Sequence, residues 1–162
     1  MKKPEVRHEL EIKFGNEYGP EEEAAAIEVI RAGAPSCGKK VKEFEIAFAE
    51  YCGTGHALTC TSATTGLTLA GVAAGVGPGT EVITTPISWI ATAMAYSALG
   101  ADVRFCDVDA RTLNMDPDTI EPLITEKTRA IVPVHLAGQC SEMDRNIAIA
   151  ERQNVVARNH GA

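Results

Sequence analysis

Residues 81–109, EVITTPISWIATAMAYSALGADVRFCDVD, predict a strand, a helix and a second strand in direct succession. The apolar run at 81–86 predicts the first strand, and ADVRFCDVD at 101–109 predicts the second. Between them, Ser88 is in place to cap a helix that ends at Gly100. Two parallel strands need a crossover of this kind, so the stretch predicts part of a parallel sheet.

The flanking sequence continues the alternation of strands and helices. Further strands are predicted at 57–60, 129–135 and 154–156. Further helices are predicted at 64–76, from Asp116 with Pro117, and at 141–153, where Ser141 and Asp144 resemble a capping box. Two earlier helices are predicted at 20–33 and 40–51. The pattern indicates an α/β fold with a mostly parallel, layered sheet and helices on both faces.

Composition sets limits on the class of protein. The chain has 162 residues, enough for one core, and 45% hydrophobic with 23% charged residues indicates a globular domain. A formal charge of −7 argues against a nucleic-acid partner or an anionic membrane. The cysteines lack the paired spacing of a metal site, so we expect no metal and reduced thiols in a cytoplasmic protein. They are Cys37, Cys52, Cys60, Cys106 and Cys140.

The stretch CTSATTGL, residues 60–67, places hydroxyl side chains where a strand is predicted to lead into a helix. The backbone N–H groups of Ala63 and Thr64 could hold a phosphate there, because helix N-termini attract anions. The alternative is that Ser62 only caps the helix, and the stretch taken alone favours it. Neither a Walker pattern nor GxGxxG is present, so a phosphorylated cofactor or mononucleotide is favoured over a dinucleotide.

Two further side chains follow predicted strands. Trp89, the single tryptophan, lies in TPISWIAT and could stack on an aromatic ligand, although a core position is the commoner use of such a residue. His135, in PVHLAG, either reaches the same site or is a hydrogen-bonded structural histidine.

Several segments, taken in order, resemble the sugar aminotransferases of the DegT/DnrJ/StrS family. They are FEIAFAEYCGTGHAL (44–58), TSATTGL (61–67), GVGPGTEVITTPISWIATAMAYSALGADVRFCDVD (75–109), LNMDPDTIEPLITEKTRAIVPVHLAGQ (113–139) and MDRNIAIAERQN (143–154). The wording of SATTGL and PISW is most similar to the branch that makes 4-amino-4-deoxy-arabinose nucleotide sugars. An unrelated small α/β binding module would explain the alternation of strands and helices but not these sequence similarities.

The resemblance implies a pyridoxal-phosphate (PLP) enzyme with the type I, aspartate-aminotransferase-like fold. Residues 1–56 would be an N-terminal helical segment and 57–162 an incomplete PLP-binding large domain, with the small C-terminal domain absent. The implied substrates are a nucleotide sugar and an amino-acid donor such as glutamate, and family members are dimers. By the same resemblance, Ala63 and Thr64 would bind the cofactor phosphate and Trp89 would stack on the pyridine ring.

The sequence departs from the family pattern near its end. Family members carry an aspartate for the pyridine nitrogen in a segment like VIEDAAQAHGA, whereas residues 155–162 here read VVARNHGA, without a carboxylate. Neither Arg158 nor His160 replaces it, because a cation disfavours protonation of the ring nitrogen.

No lysine matches the position of the lysine that binds the cofactor covalently. The lysines are Lys2, Lys3, Lys13, Lys39, Lys40, Lys42 and Lys127. We therefore expect the N-terminal part of an aminotransferase that has no catalytic residue of its own and is inactive alone. The alternative is a truncated, non-catalytic relic that binds PLP or nucleotide sugar weakly, or associates with a full-length homologue. Self-association, or association with a complementing chain, is expected in either case.

Overall fold

A computed structural model describes residues 18–33 and 36–157. The chain divides into two compact units, the first ending at Thr59 and the second beginning at Cys60. Within the described ranges, no helix combines the length and the apolar character that crossing a membrane requires.

The first unit contains helix α1, Pro20–Arg31, and helix α2, Lys39–Cys52, as the sequence predicts. Proline suits the first turn of α1, and the Gly19 N–H donates to Glu22 Oε2 at 2.7 Å. An ion pair of 3.0 Å between Lys40 Nζ and Glu28 Oε2 joins the two helices.

The second unit is built on a four-stranded sheet whose strand pairs are all parallel. Its strands are β1, Glu81–Thr84; β2, Asp102–Phe105; β3, Thr128–Val132; and β4, Val156–Ala157. Their order across the sheet is β2-β1-β3-β4. The predicted parallel α/β sheet is therefore confirmed for these strands.

The strand predicted at 57–60 is wrong. These residues form no strand, and the side chain of Leu58 is 86% exposed. A strand needs a neighbour for its backbone groups, and no strand of the described chain pairs with this segment. Thr59 instead donates from its backbone N–H and from Oγ1 to Glu45 Oε1, at 2.9 and 3.0 Å.

Helices α3, Ala63–Ala73; α4, Ala91–Ser97; and α5, Met143–Arg152 connect or flank the strands. Asp116 caps a short 3₁₀ turn at Pro117–Thr119 through its side chain, which accepts from Asp118 N–H at 3.0 Å.

Two predicted caps are wrong, because the serines bond to other side chains. Ser88 Oγ lies 2.7 Å from Thr92 Oγ1, and α4 begins after Ile90. Ser141 Oγ accepts from Asn146 Nδ2 at 3.1 Å, and α5 begins after Glu142.

Helices cover both faces of the sheet because side chains alternate along its central strands. Val82 packs with Leu67 of α3 and Tyr96 of α4 in one cluster. The next residue, Ile83, packs with Ile149 of α5 in a second cluster. The prediction of helices on both faces is confirmed.

The chain reverses its direction across the sheet between β1 and β3. From β1 it moves outward to β2, and it then returns to the other side of β1 to form β3 and β4. In open α/β sheets, ligands bind at the carboxyl ends of the strands where the order reverses. The loops that leave β1 and β3 therefore frame the expected site.

Candidate functional site

The N-terminus of α3 exposes backbone donors. The N–H of Thr65 donates to Ser62 Oγ at 3.1 Å and the N–H of Gly66 to the Ser62 carbonyl oxygen at 3.0 Å. Among the described residues, the N–H groups of Ala63 and Thr64 have no acceptor, and both residues are exposed. Ser62 is thus a cap, as one interpretation of CTSATTGL predicts, and the capped turn still leaves two donors for an anion.

Hydroxyl groups around this helix start are linked to one another. Thr65 Oγ1 lies 3.1 Å from both Ser62 Oγ and Thr61 Oγ1. The Cys60 Sγ donates to the Ser62 carbonyl oxygen at 3.2 Å. These contacts fix the first turn of α3, so that the Ala63 and Thr64 N–H groups have defined directions.

Trp89 follows β1 and is a surface residue. Its side chain is 80% exposed, so it lies outside the core that the described residues form. Its carbonyl oxygen accepts from Thr92 N–H at 3.0 Å at the start of α4. An exposed indole that follows a strand end beside the reversal point can stack on a flat aromatic ring.

His135 follows β3, on the other side of the reversal point. Its ring Nδ1 accepts a 3.0 Å hydrogen bond from the backbone N–H of Ser141. The buried Asn114 holds the intervening loop: its Nδ2 donates to the Gln139 carbonyl oxygen and its Oδ1 accepts from Leu136 N–H, both at 3.0 Å. No periodic pattern in the sequence marks Asn114, and its role was not predicted.

The carboxyl ends of β1 and β3 are joined below these loops. Thr84 Oγ1 is buried and donates to the Val132 carbonyl oxygen at 2.8 Å.

Cys106, which follows β2, is also buried, and burial raises the pKa of its thiol to about 11. That thiol stays protonated near neutral pH and is no nucleophile.

Lysine is placed away from this edge. Lys127 is the only lysine from Cys60 to Ala162, and it immediately precedes β3. Its carbonyl oxygen accepts from the N–H of Glu81, the first residue of β1, at 2.9 Å. At about 3.3 Å per strand residue, Lys127 lies roughly 16 Å along the chain from Val132. Arg158, His160, Lys2, Lys3 and Lys13 lie outside the described residues.

The described chain thus offers exposed N–H donors at the start of α3, an exposed indole after β1 and a histidine after β3. In the described part of the chain, no group of three side chains is arranged to hold a metal ion. The sequence model of the DegT/DnrJ/EryC1/StrS aminotransferase family matches residues 16–158. The chain belongs to this family.

Two curated proteins are similar to most of this chain. GDP-perosamine synthase from Caulobacter vibrioides is 47% identical over 121 residues, which cover 75% of this chain and 33% of the relative. UDP-4-amino-4-deoxy-L-arabinose–oxoglutarate aminotransferase from Shewanella sediminis is 40% identical over 132 residues, 82% of this chain and 34% of the relative. The chain therefore spans about a third of the length of these relatives.

Solved structures in the family have the same fold. A 3-amino-5-hydroxybenzoic acid synthase matches with a TM-score of 0.83 and 35% identity, over 88% of this chain and 38% of the synthase. NtdA from Bacillus subtilis, with bound cofactor PMP, matches with a TM-score of 0.79 and 29% identity, over 87% of this chain and 33% of NtdA. The predicted family and the predicted type I aminotransferase fold are confirmed, and dependence on PLP is a property of the family.

Proposed function

We propose that this chain is the N-terminal part of a PLP-dependent aminotransferase that moves an amino group from an amino acid such as glutamate to the keto group of a nucleotide sugar. Residues 1–56 are the N-terminal helical segment of that enzyme, and 57–162 belong to its PLP-binding large domain. The family match and the similarity to UDP-4-amino-4-deoxy-L-arabinose–oxoglutarate aminotransferase support the reaction class.

The N-terminus of α3 carries the cofactor part of the proposal. The free N–H groups of Ala63 and Thr64 suit a phosphate, since small exposed residues let the anion approach the backbone. Trp89, 80% exposed, suits stacking on the pyridine ring. The residues present thus fit both ends of PLP.

When bound, PLP supplies the electron sink on which amino transfer depends. The residues of this chain would hold it: the Ala63 and Thr64 N–H groups would donate to the phosphate oxygens. The Ser62 hydroxyl would keep those donors aligned through its bond to Thr65 N–H. Trp89 would cover one face of the ring and exclude water from it.

Titration of the purified chain with PLP tests this site. Trp89 is the single tryptophan, so its emission reports directly on a ring stacked against it. We expect saturable quenching that inorganic phosphate reverses. Quenching without saturation, in a sample that circular dichroism shows to be folded, would contradict the proposal.

We further propose that the 162 residues alone do not catalyse amino transfer. Lys127 is placed at the amino ends of the strands, and residues 155–162 provide no carboxylate for the ring nitrogen. Incubation with glutamate, PLP and a keto-sugar nucleotide should release no 2-oxoglutarate. A measurable rate with the purified chain, above that of PLP without protein, would overturn this part.

The alternative function is a non-catalytic chain that binds PLP or nucleotide sugar weakly, or only associates with a full-length homologue. The sequence VVARNHGA favours it, because a chain selected for catalysis within an assembly would keep its carboxylate. Co-expression with the remaining segments of a family member distinguishes the two: restored amino transfer supports the enzyme, and binding without activity supports the alternative.

Self-association and a cytoplasmic location also belong to the proposal. Apolar side chains of the second unit are exposed on adjacent helices: Leu69 and Val72 on α3, and Ile90 and Met94 beside and on α4. Exposed apolar groups of this kind are typical of protein–protein interfaces. Sedimentation of the purified chain should therefore give a mass above that of the monomer.

A further inference from the structure

The loop after β3 contains a histidine that the proposed cofactor contacts do not use. His135 is half-buried and lies three residues past Val132, the carboxyl end of β3. Because the strand order reverses between β1 and β3, this loop faces the same crevice as the loop that carries Trp89.

The hydrogen bond from Ser141 determines which nitrogen of the neutral His135 ring carries the proton. A backbone N–H can only donate, so Nδ1, which accepts from Ser141 N–H at 3.0 Å, holds no hydrogen. A ring turned over by 180° would place a C–H against this N–H and lose the bond. The neutral ring therefore carries its proton on Nε2.

The backbone around His135 is held in an unusual conformation. Ala137 has φ of 53° and Gly138 has φ of 79°, both left-handed, and such a conformation costs free energy for alanine. The two hydrogen bonds of the Asn114 amide, to Gln139 O and from Leu136 N–H, hold the loop in place. Asn114 is 4% exposed, so these bonds are shielded from water.

We propose that His135 is a ligand-binding residue whose Nε2–H donates a hydrogen bond to an acceptor oxygen of the bound cofactor, with Ser141 and Asn114 as positioning residues. Among the described residues Nε2 has no partner, whereas Nδ1 is already paired. This inference rests on the proposed function, because it requires that PLP binds at the carboxyl edge of the sheet.

Two substitutions separate the two nitrogens of the ring. The side-chain oxygen in His135→Asn takes the place of Nδ1 and can keep the bond from Ser141, but it leaves nothing at Nε2. The longer amide in His135→Gln brings an N–H near the position of Nε2. His56→Asn, at an exposed residue of the first unit, is the matched control.

PLP affinity is measured by quenching of Trp89 emission, and folding by the thermal unfolding midpoint. We expect His135→Asn to bind PLP about tenfold more weakly with an unchanged midpoint, which is the scale of one hydrogen bond. His135→Gln should recover most of the affinity, and His56→Asn should bind like the unaltered chain. Unaltered affinity in a folded His135→Asn would overturn the inference while the proposed function stands.

A measurement on the unaltered chain covers the case in which His135→Asn does not fold. The ¹⁵N shifts of His135 should identify the tautomer protonated on Nε2, and the Nε2 resonance should move when PLP is added to saturation. A proton on Nδ1, or an Nε2 resonance that does not move, would overturn the inference. Failure of the unaltered chain to bind PLP would overturn the proposed cofactor site, and this inference with it.

Discussion

The Thr84 hydroxyl donates a 2.8 Å hydrogen bond to the carbonyl oxygen of Val132, and so ties the carboxyl ends of β1 and β3 together. Both residues are buried, and the bond crosses the point at which the strand order reverses. The loops that carry Trp89 and His135 begin directly after these two residues.

Thr84→Val removes the hydroxyl and keeps the shape of the side chain. We expect a loss of about 1 to 2 kcal/mol in the free energy of unfolding, because the hydrogen bond is buried. Urea unfolding followed by circular dichroism measures it. Thr84→Ser keeps the hydroxyl but removes a buried methyl group, so it measures the packing contribution separately. An unchanged free energy of unfolding in Thr84→Val would contradict the role of the hydrogen bond.

Trp89→Ala should weaken PLP binding by about 1 to 3 kcal/mol, on the scale of aromatic contacts. The indole is 80% exposed, so the unfolding midpoint should not change. The variant has no tryptophan, and equilibrium dialysis with PLP absorbance replaces the emission measurement. Unchanged affinity would exclude the stacking role, and Trp89→Phe should keep part of it.

Ser62→Ala removes the acceptor of the Thr65 N–H at the start of α3. A lost N-cap costs about 0.5 to 2 kcal/mol of stability. Ser97→Ala, at the exposed last residue of α4, is the control and should change the free energy of unfolding by less than about 0.5 kcal/mol. Equal stability of the two variants in urea would mean that the cap contributes nothing.

Gly71→Ala and Gly66→Ala test packing on one helix. A Cβ at Gly71 would lie 2.8 Å from Leu99 Cδ1 and 3.0 Å from Tyr96 Cδ1, so we expect a loss of about 1 to 3 kcal/mol. A Cβ at Gly66 would meet Cys60 Sγ at 3.4 Å, and there alanine should stabilise the helix by up to about 1 kcal/mol. Thermal unfolding should show a lower midpoint for Gly71→Ala and a higher midpoint for Gly66→Ala. Midpoints that shift in the same direction would contradict the packing of α3 on α4.

Stability should fall as the pH rises from about 9 to about 11. Burial raises the pKa of the Cys106 thiol from 9.0 to about 11, so in this range the unfolded chain has lost the proton that the folded chain keeps. Deprotonation then favours unfolding. The pKa of Tyr96 is raised by burial as well and adds in the same direction. Cys106→Ala should flatten the decline of the unfolding free energy with pH; an equally steep decline would contradict the assignment.

Prediction from the sequence succeeded where local pattern and tertiary partner agree. Strands β1 to β3 have clear apolar runs, and each pairs with a neighbouring strand. The first two helices were predicted from their opening and ending residues and, in the second, from apolar periodicity. The segment 57–60 has the apolar pattern of a strand but no pairing strand in the described chain, so the pattern alone was insufficient.

The side-chain bonds around the site were harder to predict. Serine is a common capping residue, but Ser88 bonds to the side chain of Thr92 and Ser141 to that of Asn146. Each partner lies about one helical turn further along the chain. Asn114 and the Leu136–Gln139 loop are 22 or more residues apart in sequence, and only folding brings them together. The sequence alone pointed to Ala63 and Thr64 because they lie in the stretch CTSATTGL, and to Trp89 because it follows a predicted strand. Their role in binding stays a prediction.

The alternation of Val82 and Ile83 between the two clusters has a consequence for changes of chain length. Inserting or deleting one residue within β1 would shift its register by one residue. The side chains beyond the change would then point to the opposite face of the sheet, and so into the other cluster. Conservative substitutions in β1 should therefore be tolerated far better than single-residue insertions, while the exposed turn at Gly79, which joins no cluster, has room to lengthen.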